Sequence, residues 1–287
     1  MDFTIAGVVI LYDPETDVLS NIQSYIKSLD CLFVVNNHGG DAAISELNKL
    51  YENIHVIQEK ENMGISYPLN QVLQLCNKKY DFLMTMDQDS IFHDHDMKRY
   101  ILEIPKFDWN HTLGIGPKKV SKDLRIPENE GIEWRKVIRT ITSGNIVNVQ
   151  NAIAVGGYNE DLFIDEVDFE FCYRGAQKNF DIYECTTGIY LRHSVGNRTM
   201  HSFAGFKYYS WNHSPVRKYY IIRNRLYCYK RYAYLNRRDF NRMYLWDTLK
   251  NLVKIPLTET DKLKKLKYCA LGFWDYYHHK VGKKYFD

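Results

Sequence analysis

Short, wholly apolar runs alternate with stretches of helical spacing along the front of the chain, and no other feature restricts the possible folds as much. Ile5-Ala6-Gly7-Val8-Val9-Ile10-Leu11 is unbroken apolar sequence, as expected of a strand buried on both faces. Val18, Leu19, Ile22, Tyr25, Ile26 and Leu29 then recur at helical spacing. Cys31 to Val35 reads as a second strand, stopped by Asn36-Asn37-His38-Gly39-Gly40. A helix over 42–51, a third short strand at His55-Val56-Ile57, a helix bearing Leu69, Val72, Leu73, Leu75 and Cys76, and a fourth strand at Phe82-Leu83-Met84-Thr85-Met86 continue the pattern. Strand, helix, strand, helix at this pace implies an α/β fold, a parallel sheet covered by helices. Ligands bind such sheets beyond the carboxyl ends of the strands. The loops that matter are therefore Tyr12-Asp13-Pro14, Asn36 to Gly40, and Asp87 to Ser90. Further on, Pro117 to Glu133 reads as loop, Val137 to Thr142 as a strand, and about 166–178 as a helix. Two or three amphipathic helices are expected after residue 215.

At roughly 100–200 residues per domain, the 287 residues suit one large domain or a domain with an appendage. No apolar run approaches the roughly 20 residues that span a bilayer, and Met1-Asp2-Phe3 lacks the basic flank of a signal peptide. The six cysteines are scattered, with no Cys-x-x-Cys, so neither a disulfide framework nor a zinc site is expected. A cytoplasmic, reducing setting fits. The net charge of +3 hides an asymmetry. Residues 216–287 hold 18 Lys and Arg against 6 Asp and Glu, and 16 of the 42 aromatic residues, while the body is acidic. This contrast implies a change of role near 215, dividing the chain into 1–215 and a basic, aromatic helical extension, 216–287.

Two acidic segments stand out. Met86-Asp87-Gln88-Asp89-Ser90 sets two carboxylates two residues apart at a strand's carboxyl end. A hard divalent cation takes oxygen ligands of this kind and shares them with substrate phosphates, although Asp and Ser also simply form turns. In Phe163-Ile164-Asp165-Glu166-Val167-Asp168-Phe169-Glu170, Asp165 suits a helix cap, and Glu166 and Asp168 suit the positive end of its dipole. Glu170 and Arg174 form an i,i+4 pair. A carboxylate at such a helix start also serves as a general base if it faces a cleft. The segment alone leaves these roles open.

Taken together, the motifs are more specific. Asn62-Met63-Gly64-Ile65 precedes a helix carrying Asn70. Asp87-Gln88-Asp89, Thr142-Ser143-Gly144-Asn145, Gly156-Gly157-Tyr158, the segment from Phe163 to Arg174, and Arg192-His193-Ser194-Val195-Gly196 come after it in order. Over about residues 3–225 this resembles the inverting nucleotide-sugar transferases of glycosyltransferase family 2, with the GT-A fold. Val34-Val35-Asn36-Asn37, the Phe163 to Glu170 segment and Pro215-Val216-Arg217-Lys218-Tyr219-Tyr220-Ile221-Ile222-Arg223-Asn224 look most like its rhamnosyltransferase branch.

The resemblance implies a role for each motif residue. Tyr12 would pack near the nucleotide base, or else on the core as a strand-end aromatic. Asn37 stands where the family often has a base-contacting Asp. Asn62 belongs to the donor-binding motif. Asp87 would touch the ribose or a metal-bound water, Asp89 would ligate Mn²⁺ or Mg²⁺, and His193 would be a further metal ligand. Asp168, aligned through Arg174, would be the catalytic base, with Asp165 and Glu166 as rivals. Glu170 would support the acceptor or pair with Arg174. Gly64 and Gly144 would admit the donor closely, although Gly64 also suits a helix-start turn. Asn145 would touch the sugar or cap the next segment of chain. The implied donor is dTDP-L-rhamnose, ahead of a UDP-hexose or UDP-galactofuranose. The implied acceptor is a glycan or lipid-linked glycan of a bacterial surface polymer.

In the tail, Arg217, Lys218, Arg223, Arg225, Lys230 and Arg231 interleave with Tyr219, Tyr220, Tyr227, Tyr229 and Tyr232, and Trp246, Phe273, Trp274, Tyr276 and Tyr277 lie further along. No nucleic-acid-binding module accompanies them, so nucleic acid is not the expected partner. A peripheral contact with the inner face of the cytoplasmic membrane is the better functional reading, beside a solvated helical face over an aromatic core. Two rivals in function are a nucleotidyltransferase, disfavoured by the lack of a Gly-rich basic loop after the first strand, and a non-catalytic carbohydrate- or membrane-binding module.

Overall fold

The computed structural model describes residues 3–286 apart from 94, 122, 128–129, 194–198, 204–205 and 211; for 199, 201–203 and 206–210 it describes the backbone alone. Ser194, Val195 and Gly196 of the last motif lie outside the described residues. The chain forms two units, Met1–Asn159 with Asp168–Ser194, and Glu160–Val167 with Val195–Asp287.

The first unit contains strands β1 (Ile5–Tyr12), β2 (Cys31–His38), β3 (Ile54–Gln58), β4 (Phe82–Asp87), β5 (Ser90–Phe92), β6 (Thr112–Gly116), β7 (Lys118–Val120), β8 (Glu133–Val137), β9 (Asn145–Asn148), β10 (Asp181–Thr187) and β11 (Tyr190–His193). Its helices are α1 (Val18–Gln23), α2 (Asp41–Leu50), α3 (Ser66–Cys76), α4 (Asp96–Glu103), α5 (Val149–Val155) and α6 (Val167–Gln177), the last entering from the second unit at its first residue. Eight strands form the main sheet in the order β3-β2-β1-β4-β9-β6-β10-β8. β3, β2, β1 and β4 are mutually parallel, β9 runs antiparallel to both its neighbours, and β8 is an antiparallel edge. The strand order reverses at β1, which has β2 on one side and β4 on the other. That switch point opens the crevice in which open α/β sheets bind ligands.

The apolar runs lie where their patterns require. Val8, Val9, Leu11, Leu32, Val34, Leu83 and Met84 are all buried, each side chain stabilising the fold by about 1.5–3 kcal/mol. In α3, Leu69, Val72, Leu73 and Cys76 turn one stripe onto the sheet. Two expectations need correction. The strand foreseen at Val137 to Thr142 is instead β8, ending at Val137, and Lys118–Val120, foreseen as loop, is β7. Residues 138–142 leave the sheet because their backbone serves other partners: the Thr142 carbonyl accepts from Thr85 Oγ1 at 2.6 Å and the Thr140 carbonyl from Cys172 Sγ at 3.7 Å.

The second unit is built on a helix pair. α7 (Pro215–Tyr232) packs along α10 (Lys262–Tyr277), and α8 (Arg237–Phe240) and α9 (Asp247–Thr258) lie between them in sequence. Gly272 marks the close approach, since a Cβ there would lie 2.5 Å from the Tyr219 carbonyl oxygen. Lys218 and Lys265 bracket the buried Glu259 at 2.7 and 2.9 Å. β12 (Thr199–Phe203) and β13 (Phe206–Ser210) form a separate hairpin. Much of the expected basic-aromatic surface is interior here: Lys218, Tyr219, Tyr220, Arg223 and Tyr232 are buried. Arg223 donates to the carbonyls of Asp161, Leu162 and Gly282, and Asn224 to those of Leu162, Ile164 and Asp165. Those side chains hold the 161–165 loop and do not face solvent.

Candidate active site

The parallel register brings the ends of β1 and β4 together, with Ile10 opposite Asp87. Gln88, between the two aspartates, clamps the loops: its Oε1 accepts from Tyr12 N at 2.8 Å and its Nε2 donates to the Tyr12 carbonyl at 3.0 Å. Asn21 Nδ2 donates to the Gln88 carbonyl at 3.0 Å. With its middle residue tied down, the short turn leaves both flanking carboxylates partly exposed, and the Asp89 side chain is 41% exposed.

β5 comes directly after this turn and pairs antiparallel with β11, which places His193 opposite Ser90. His193 Nδ1 thereby stands 3.3 Å from Asp89 Oδ1, 3.9 Å from Asp87 Oδ2 and 2.8 Å from Ser90 Oγ. Ser143 Oγ donates to Ser90 Oγ at 2.7 Å and accepts from Asp87 N at 3.2 Å, so a third segment steadies the cluster. Burial lowers the affinity of the His193 ring for a proton, but the Asp89 and Asp87 carboxylates outweigh it and raise its pKa. One ligand atom from each of Asp87, Asp89 and His193 lies within 4.8 Å of the others, the one such group among the described residues. Two hard carboxylates and one imidazole suit Mn²⁺ or Mg²⁺. The donor set thus fits the cation implied by the sequence.

Around this centre the other motif residues take distinct places. Tyr12 is exposed at the end of β1, its ring 5.8 Å from that of His38. Asn37 is buried, donating to Asn62 Oδ1 at 3.2 Å and the Gly64 carbonyl at 2.8 Å while accepting from Met63 N at 2.9 Å. It therefore shapes the 62–64 loop, where Asn62 Oδ1 also accepts from Gly64 N. Gly144 has φ +76°, and a Cβ there would meet Pro117 Cγ at 2.7 Å, so only glycine fits. Asn145 opens β9 in the sheet interior, and its Oδ1 has no hydrogen-bond partner among the described residues. The cap of the next helix, α5, is Asn148, which accepts from Asn151 N at 2.9 Å. Asn70 grips Tyr158 through both backbone polar groups, tying the Gly156-Gly157 turn to α3.

Asp168 and Glu170 lie in the first turn of α6. Glu170 is buried and takes Arg174 Nε on both oxygens, at 2.9 and 2.8 Å. Asp168 Oδ1 accepts from Phe169 N at 2.9 Å. Lys119 lies on β7, which pairs with β11. Its Nζ donates to Thr140 Oγ1 at 2.5 Å and Glu184 Oε1 at 3.2 Å. Burial lowers its pKa, against the pull of Glu184 and, more weakly, of Asp168, and its charge also acts on His193. The Lys119 charge thus acts on both Asp168 and His193. Sequence reasoning passed over Lys119, Gln88 and Ser90; Gln88 was legible as the middle of Asp-x-Asp, whereas nothing local marks Lys119.

Within the second unit the rival carboxylates are closed off. Asp165 and Glu166 carry left-handed backbone, φ 61° and 65°, and α6 starts only at Val167. Asp165 Oδ1 pairs with Arg217 Nη2 at 3.0 Å, so the expected cap is an ion pair. Glu166 takes Arg225 Nε at 3.3 Å and the Tyr244 hydroxyl at 2.6 Å. Its burial raises its pKa against these two partners.

A mostly parallel sheet with a convergent Asp, Asp and His at its switch point, followed by C-terminal helices, defines a GT-A glycosyltransferase domain. Residues 8–157 match the family Glycosyl transferase family 2, and the chain belongs to that family. It is 27% identical over 238 residues to a dTDP-rhamnosyl transferase, RfbF, of Shigella flexneri, covering 78% of this chain and 79% of that one. Among solved structures it is similar to S. aureus TarS, with TM-score 0.56 and 15% identity, over 96% of this chain but only 49% of TarS. It is also similar to GalNAc-T7, determined with UDP, GalNAc and Mn²⁺, with TM-score 0.57 and 14% identity over 97% of this chain and 58% of that one. The chain thus spans about half the length of these structural relatives.

Proposed function

We propose that the protein is a metal-dependent, inverting glycosyltransferase that transfers L-rhamnose from dTDP-L-rhamnose to a glycan acceptor, free or lipid-linked, in bacterial surface polysaccharide synthesis. The observation that carries the reading is the convergence of Asp87, Asp89 and His193 at the β1–β4 switch point. The similarity to the Shigella flexneri dTDP-rhamnosyl transferase supports the donor. Residues 1–215 would be the catalytic domain and 216–287 a helical extension, acting in the cytoplasm or peripherally at the inner face of the membrane.

Asp89 and His193, with Asp87 beside them, would hold Mn²⁺ or Mg²⁺. The bound ion supplies charge neutralisation for the departing nucleoside diphosphate. Tyr12 and the loop shaped by Asn37, Asn62 and Gly64 would receive the nucleoside, and Gly144 and Asn145 would border the sugar. Asp168 would take the proton of the acceptor hydroxyl as its oxygen bonds to the anomeric carbon. The bond from that carbon to the diphosphate breaks on the opposite face, which inverts the configuration. Glu170 stays with Arg174 and keeps the first turn of α6 in place.

A donor panel tests this. Thermal stability is measured with Mn²⁺ and dTDP, dTDP-L-rhamnose, UDP, a UDP-hexose and UDP-galactofuranose. A ligand at 100 times its dissociation constant adds about 2.7 kcal/mol to the native state. Stabilisation by the dTDP ligands only with metal is expected. Preference for a UDP ligand would keep the transferase and replace the donor. No response to any nucleotide would favour a non-catalytic carbohydrate- or membrane-binding module.

A further inference from the structure

The helix α10 is apolar on two sides. Its buried face packs Tyr268, Cys269 and Gly272 inward together with two charged residues, Lys265 and Asp275. Lys265 bonds Glu259, and Asp275 takes the Tyr219 hydroxyl at 2.9 Å and the Lys284 ammonium. Its outward face is apolar. At about 100° per residue, Leu263, Leu266, Ala270, Phe273, Trp274 and Tyr277 fall within one arc about 100° wide. Leu263 is 84% exposed and Tyr277 71%, and Phe273 and Trp274 are exposed by more than half. An outward face meant for water alone is polar. α9 also shows an apolar stripe, Leu249, Val253 and Leu257, exposed over a little more than two turns.

Charge lies along the borders of the α10 arc. Lys262 stands at one edge and Lys267 at the other, with Lys264 beyond it, and all three are exposed. Lysines so placed lay their stems along the apolar face and lift their ammonium groups to its rim. The geometry points to an anionic phospholipid bilayer as the occupant: we propose that α10 lies in the plane of the membrane surface, with Leu263, Phe273, Trp274 and Tyr277 in the acyl boundary and Lys262, Lys264 and Lys267 on lipid phosphates. Trp and Tyr favour that depth. Anionic headgroups neutralise the lysine border of such a face. No described helix is long and apolar enough to cross a membrane, so the contact is interfacial. The inference sharpens the peripheral-membrane part of the proposed function and rests on that part alone.

The test is flotation of the full chain with phosphatidylcholine vesicles, with and without phosphatidylglycerol, beside a thermal shift by dTDP and Mn²⁺. Binding to the anionic vesicles is expected, weakened at least about tenfold by omitting phosphatidylglycerol or raising salt. Trp274 fluorescence should be quenched by brominated acyl chains, a signal absent from Trp274→Phe. Phe273→Ser with Trp274→Ser should lose vesicle binding at least about tenfold, and Lys262→Gln with Lys264→Gln and Lys267→Gln should lose the preference for anionic lipid. Both variants should retain the nucleotide shift, which shows that they are folded. Wild-type protein that responds to dTDP yet ignores vesicles would overturn the lipid contact and leave the transferase standing. Vesicle binding without any nucleotide response would do the reverse. A wild-type dimer in sedimentation equilibrium that Phe273→Ser with Trp274→Ser converts to monomer, with no vesicle binding, would assign the face to a second copy and overturn the proposal.

Discussion

Two acidic segments that look alike in sequence are treated in opposite ways. Asp87 and Asp89 flank a glutamine whose side chain is fastened to β1, and their carboxylates stay partly exposed beside His193. Asp165 and Glu166 are adjacent and locked, one to Arg217 and the other to Arg225 and Tyr244, with the Glu166 side chain only 6% exposed. Availability to a ligand is thus decided by what the rest of the chain brings up to a carboxylate, and not by how many acids a segment holds. Asp168, two residues beyond Glu166, falls in the other unit and has the charge of Lys119 for company.

The strongest way to break this contrast is at Asp168. Asp168→Asn is expected to lower kcat by about 100- to 10,000-fold while sparing donor binding; initial rates and a nucleotide thermal shift measure both. Full activity in that variant, with loss in Glu166→Gln, would reverse the comparison. Next comes the open pair. Asp89→Ala should abolish the metal-dependent part of nucleotide binding and lower transfer by about 100-fold or more, read by calorimetry with and without Mn²⁺. Unchanged affinity would rule Asp89 out as a metal ligand.

The closed carboxylates should speak through stability instead. Glu166→Gln removes the charge opposite Arg225 and one of the two oxygens that accept from Arg225 and Tyr244, and should cost about 3 kcal/mol in denaturant unfolding, with transfer retained by the folded fraction. A pH series sharpens the same point at Glu259. Burial alone would raise this carboxyl, but Lys218 and Lys265 hold it below its ordinary 4.5. A folded-state pKa below the unfolded one contributes stability above pH 4.5, and that stability is lost as pH falls through the depressed value. Glu259→Gln should therefore be less stable near neutrality and show a flatter acid limb. The smallest effect among the closed carboxylates is expected at Asp165→Asn, about 1 kcal/mol or less, because its partner Arg217 is well exposed; a loss as large as that at Glu166 would show the two to be held equally firmly.

The parallel half of the sheet was legible because a strand buried on both faces needs an unbroken apolar run, and β1, β2 and β4 supply one each. β8 was not. Its Glu-Trp-Arg-Lys-Val is polar because it is an edge strand with β10 alone as partner, and the more β-like residues after it are drawn into bonds with Thr85 and Cys172. The tail misled for a related reason. Arginine and tyrosine in alternation read as surface, yet Arg223 and Tyr219 are interior, because carbonyls of the 161–165 loop and the Asp275 carboxylate satisfy them.

What the sequence determined by itself, then, is what local pattern can carry: the tempo of the sheet, the Asp-x-Asp at the end of β4, the i,i+4 pairing of Glu170 with Arg174, and the combined motifs of the family. Only tertiary structure brought His193 to Asp89, through a strand pairing that spans 103 residues between Ser90 and His193. It also chose which carboxylates stay open, bound Lys119 to Thr140 and Glu184, and turned the apolar face of α10 outward. Each of these depends on which side chain meets which across the fold, and no periodicity along the chain encodes such a meeting.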